Sequence, residues 1–129
     1  LDGVMKKMKR LIPVLLMLVL VSAPVYAGDF QDGENAYRKG DYRTAFEKFE
    51  PLAEQGNAQA QWLLAGLYAR GMGVARDYVQ ALKWSAIAGA NGVEAGSIGR
   101  DLLQKKMTPD QINKAFREAG EWMREYNKK

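Results

Sequence analysis

The sequence predicts an all-α fold, an α/α solenoid of about three helical hairpins (six helices) ending in an amphipathic capping helix. Three observations carry this. A block of sequence recurs at an offset of 36 residues: Asp41-Tyr42-Arg43-Thr44-Ala45-Phe46 returns as Asp77-Tyr78-Val79-Gln80-Ala81-Leu82, and Gly56 returns as Gly92. A period of this length marks a supersecondary unit that cannot bury its own apolar face and must stack on its neighbours. Apolar residues also recur at helical spacing from Phe30 to Tyr126, and no segment alternates with period two for long enough to form a strand. Finally, helix-start residues and glycine stops punctuate the chain at regular intervals.

Taken in order, Phe30 to Lys39 reads as a short first helix closed by Gly40. Tyr42, Ala45, Phe46, Phe49, Leu52 and Ala53 form the stripe of a second, ending at Gly56, with Pro51 predicting a kink or an early last turn. Ala58 to Arg70 is the third, stopped by Gly71. Asp77 caps the fourth, which runs to about Ala90, and the fifth spans roughly Val93 to Lys105. Thr108 opens the sixth with a capping box to Gln111 and a proline, Pro109, at the first helical position. Its stripe runs Ile112, Ala115, Phe116, Ala119, Trp122 (or Met123) and Tyr126, and its opposite face is charged, as a terminal cap requires. The third and fourth helices carry apolar residues behind their main faces, Trp62, Ala65 and Ala69 in one and Trp84 and Ile87 in the other. Such helices are buried on two sides. The units fall at about 29–56, 57–92 and 93–127.

Residues 1–27 read as an address. MKKMKR (Met5 to Arg10) is basic, Leu11 to Val21 is apolar, and Val25-Tyr26-Ala27 precedes a predicted cut between Ala27 and Gly28. The apolar segment reaches only about 16 residues, short of the roughly 20 that a spanning helix needs. This predicts a cleavable secretory leader with its start at Met5, contact with the membrane only through that leader, and a mature chain in the periplasm or beyond it.

Charge and residue types narrow the function. The chain of 129 residues has a formal net charge of +4, but the leader holds most of it, leaving 15 basic and 14 acidic side chains after Ala27. A near-neutral domain offers no broad face to phosphates, so no nucleic-acid partner is expected. With no cysteine and no histidine, the chain lacks thiolate chemistry, the usual general base and the commonest metal ligands. No catalytic residue, metal or cofactor is predicted. Glu47, Glu50 and Glu54 follow one solvated helical face, and Ser85 and Ser97 have no partner that would make them nucleophiles. The Gly71-Met72-Gly73-Val74 loop follows a helix rather than a strand, so it reads as a turn and not as a phosphate cradle.

Residues 56–92, GNAQAQWLLAGLYARGMGVARDYVQALKWSAIAGANG, resemble the Sel-one-like repeat, a relative of the tetratricopeptide repeat. The matching positions are Gly56, Ala60, Leu64, Tyr68, Gly71, Gly73, Val74, Asp77, Ala81, Trp84, Ala88 and Gly92, and the GMGVARD loop is the most specific of them. The ending GRDLLQKKMTPDQINKAFREAGEWMREY is also similar to that of bacterial members. Ala65 departs from the pattern, standing where the family usually has glycine. The resemblance implies a scaffold or adaptor for a protein or peptide partner. It also places Gln59, Trp62, Gly66 and Arg70 on the helix that lines the concave surface. Trp62 has two readings, groove lining or packing between repeats. Trp84 and Trp122 fall in apolar stripes and are expected in the core.

The expectation is therefore an exported, non-enzymatic repeat module that binds a protein segment on its concave face. Two alternatives stand beside it: a small periplasmic carboxylate-dependent hydrolase acting on cell-wall material, and a weakly self-associating structural subunit.

Overall fold

The computed structural model describes residues 28–129. The predicted leader, with its start at Met5 and cut after Ala27, lies outside the described residues. Six helices make up the rest: α1 over 28–38, α2 Tyr42–Glu54, α3 Ala58–Arg70, α4 Tyr78–Ala90, α5 Glu94–Gln104 and α6 Pro109–Asn127. No strand occurs among the described residues.

The helix starts are where short polar side chains can accept orphan backbone donors. Asp41 accepts from the Thr44 amide, Asn57 from Ala60 and Asp77 from Gln80. Thr108 and Gln111 complete a reciprocal capping box, with Pro109 behind them. The Thr44 hydrogen bonds hold the exposed Asp41 carboxyl below its ordinary pKa. Val93, at the N-cap of α5, offers no side-chain hydrogen bond. Pro51 does not end α2, which runs through it to Glu54.

The sequence repeat is also a repeat of backbone hydrogen bonds. Gly56 and Gly92 take the same positive φ, 94° and 95°. The Gly56 amide donates to Ala53 and Asn57 to Leu52; 36 residues later Gly92 donates to Gly89 and Val93 to Ala88. The two corners are the same object, built twice.

From α2 to α5 each helix packs on its neighbour in the chain, α2 on α3, α3 on α4 and α4 on α5. The core they enclose holds Ala45, Phe49, Ala60, Leu64, Leu67, Ala81, Leu82, Trp84, Ile87 and Ala88. A buried glutamine ties the first two corners together: Gln61 donates to the Ala53 carbonyl at 3.1 Å and accepts from Asn91 at 3.0 Å. Both ends of its carboxamide are thus satisfied, which is what allows a polar group there. The loop between α3 and α4 is pinned by Gly73, whose φ is +71° and whose missing side chain leaves room for the Tyr42 carbonyl. Any Cβ would collide with that carbonyl.

The last pair is more open than the first two. The helix α6 lies along α4 rather than closing on α5. Ala115 and Ala119 let it approach, being the two buried positions on its inner face. Its final turns reach back to the end of α2, where Trp122 and Tyr126 hydrogen-bond to Glu54 and to the Gln55 carbonyl. Trp84 and Trp122 meet edge to face with centroids 5.5 Å apart.

Candidate functional site: a groove along α1, α3 and α5

Small residues on α5 bring that helix close against α4 and let Trp62 of α3 reach its backbone. A Cβ on Gly96 would stand 2.7 Å from the Gly89 amide nitrogen and 2.9 Å from the Ser85 carbonyl oxygen. A Cβ on Gly99 would stand 2.7 Å from Cζ3 of Trp62. The indole therefore rests on bare α5 backbone.

Beside this contact lies a groove of about 360 Å³. From α3 come Trp62, Leu63, Gly66, Ala69 and Arg70; α1 contributes Tyr37. Tyr78 and Ser85 from α4 line it as well, and Gly99, Leu102 and Leu103 from α5, with Lys106 just past that helix, form the other wall. Arg70 donates to the Tyr37 hydroxyl at 3.4 Å, bridging two helices at one end. At the same end Arg76 sits 5.2 Å from the centre of the Tyr78 ring. Neither Arg70 nor Lys106 forms a salt bridge among the described residues. Among the described residues no acidic side chain lines the groove.

Among the described residues Ser85 is a chemical anomaly. It is only 1% exposed, and its hydroxyl finds no hydrogen-bond partner among the described residues. A buried polar group left so costs about 1–3 kcal/mol.

Of the residues expected on the concave face, the structure brings Trp62, Gly66 and Arg70 to this groove. Gln59 is exposed and outside the lining, because α5 contributes nothing opposite it until Gly99. Trp62 packs on α5 and also walls the groove. The repeat-signature residues are elsewhere. Ala60, Leu64, Ala81, Trp84 and Ala88 are buried in the core. Asp77 is a cap, and Gly56, Gly71, Gly73 and Gly92 hold turns of positive φ. Tyr68 is half-buried, edge-on to Phe46 at 5.4 Å. Its burial holds the phenol above the usual tyrosine pKa, and the charges of Glu50, Asp77 and Glu54 push the same way. Glu47, Glu50 and Glu54 lie exposed outside the groove.

The groove partners on α5 were not among the residues singled out from sequence, and Ser85 was weighed there only as a nucleophile. A signal for α5 was there: Gly96 and Gly99 stand three apart, on one helical face, as a close approach needs.

An α/α repeat solenoid with a walled groove along its first-position helices is the class defined here. The chain is 34% identical to a protective antigen of uropathogenic Escherichia coli that displays an SLR fold, with a TM-score of 0.71 over 78% of this chain and 23% of that one. The chain shares that SLR (Sel-one-like repeat) solenoid fold. It is also 38% identical over 68 residues to exopolysaccharide production negative regulators of Rhizobium leguminosarum bv. viciae and Rhizobium meliloti. That stretch is 53% of this chain but only 26% and 25% of those proteins. No family model matches the chain.

Proposed function

We propose that this protein is an exported, non-catalytic adaptor whose groove along α1, α3 and α5 holds a segment of a partner protein. The observation that carries the reading is the groove itself. It is a concave, mainly apolar surface beside the half-buried Trp62, with a few polar groups at defined places, as binding sites are built. The short array gives a small interface, so a modest affinity is expected. The SLR architecture supports the reading, as does similarity to proteins named as regulators. Export rests on the leader pattern of residues 5–27; none of the described helices is long and apolar enough to cross a membrane.

The test is site-specific photocrosslinking in living cells. A crosslinker at Gly66 or Arg70 should capture a discrete protein, and one at Glu121 on the exposed side of α6 should not. Equal capture from both faces, or none from the groove, sinks the reading. Recovery of the chain from the periplasmic fraction with Gly28 as its first residue tests export.

A second reading has one observation behind it. Ile98 and Leu102, both 55% exposed, form an apolar strip on α5 that meets the groove wall at Leu102, where another copy could stack. Mass that rises with concentration, and stops doing so in Ile98→Glu, would support self-association.

A further inference from the structure

We infer that the groove selects an extended acidic peptide: an apolar side chain seats against Trp62, and a carboxylate three or four residues along pairs with Arg70 and Lys106. This rests on reading the groove as a site for a protein segment and adds the chemistry of that segment. Three features of the groove argue for it.

The first is sign. The lining contains two cations and no carboxylate, and neither cation is engaged in a salt bridge among the described residues. A basic side chain near a helix C-terminus is favourable with no ligand at all. Two such residues from different helices converging on one groove go beyond that.

The second is polarity along the groove. Trp62 and Arg70 stand eight positions apart on α3, roughly 12 Å of axial rise. An extended strand rises about 3.3 Å per residue, so it covers that distance in three to four residues. The apolar end and the cationic end thus set a spacing in the ligand.

The third is the scarcity of polar partners. Saccharides call for several directional ones, and the lining has no Asp, Glu, Asn or Gln among the described residues.

The experiment uses fluorescein-labelled octapeptides of Gly and Ser, blocked at both ends. Each carries one Leu and one Glu at separations from one to six, with a matched set bearing Lys for Glu. Binding to the purified chain is read by anisotropy at low and at physiological salt. Peptides with a separation of three or four should bind about tenfold tighter than their Lys partners at low salt, an advantage that shrinks as salt rises. The double variant Arg70→Glu/Lys106→Glu should invert the preference. Both positions are exposed, and the milder pair Arg70→Gln/Lys106→Gln, which should abolish the preference, covers any loss of folding. If Glu and Lys peptides bind alike and Trp62→Ala weakens both, the charge inference falls while the groove keeps its role. If no peptide binds and Trp62→Ala changes nothing, both fall. If dodecanoate binds in an Arg70-dependent way and peptides do not, the groove is a site for anionic amphiphiles and the inference is overturned.

Discussion

The Trp122 indole nitrogen donates to the Glu54 carboxylate at 2.6 Å, joining positions 68 residues apart. One turn later the Tyr126 hydroxyl donates to the Gln55 carbonyl at 3.0 Å, and its ring stacks on Trp122 at 4.9 Å. The last helix is thereby fastened to the corner that ends the first unit. Tyr126→Phe should cost about 0.5–1.5 kcal/mol in urea denaturation, the net worth of one hydrogen bond. Tyr126→Ala should also speed hydrogen exchange at the amides of Gly56 and Asn57, a site far away in sequence. Exchange unchanged there would mean the contact does not steady the corner.

Trp84 is 2% exposed and the largest fully enclosed side chain. Trp84→Ala should cost roughly 3–5 kcal/mol, a large part of the ~5–15 kcal/mol available to a domain of this size. The check is thermal melting followed by circular dichroism. A melting temperature close to that of the parent would contradict the placement.

Gly73 and Gly92 separate two costs of replacing glycine. Both have positive φ, but Gly92 faces open space whereas Gly73 abuts the Tyr42 carbonyl. Gly92→Ala should cost about 1–2 kcal/mol, the conformational penalty alone. Gly73→Ala should cost more, because the loop must also shift. Equal losses in denaturant titrations would remove the packing argument.

Ser85→Ala removes a buried hydroxyl that lacks a partner. Stability in denaturant titrations should rise by about 1 kcal/mol. Destabilisation would show that the hydroxyl is satisfied in the free protein.

Tyr68 predicts behaviour in alkali. Its pKa is raised in the folded state above the ordinary 10.0, so the unfolded chain loses this proton first. The stability it confers is full below pH 10 and is lost as pH climbs through the folded value. Tyr68→Phe should therefore lose less stability than the parent between pH 9 and pH 11, measured by melting across that range. Parallel pH profiles would count against the burial of the phenol.

Much of this architecture is readable in the sequence because it is local. Caps such as Asp41, Asp77 and Thr108 act on amides three residues away. Turn glycines act on their own φ, and the positions of Ala60, Leu64, Ala81, Trp84 and Ala88 follow from helical spacing. What escapes is set by distance or by absence. Nothing near Trp122 announces Glu54. Gln61 looks like a surface residue until Ala53 and Asn91 are both beside it. The wall formed by α5 depends on side chains that Gly96 and Gly99 do not have, and periodicity weighs only the side chains that are present. Gln59 shares a face with Trp62, yet a groove needs an opposite bank, which a single helix cannot disclose.

The fastening of α6 to the end of α2 has a consequence for how the molecule comes apart. In an open array each unit depends on its immediate neighbours, so fraying can begin at one end and advance. Here the terminal helix touches both the middle and the opening unit, and loosening it withdraws support from residues folded long before it in chain order. Unfolding should therefore proceed as a single concerted transition, with removal of the last two turns of α6 lowering protection at α2 as much as at α5.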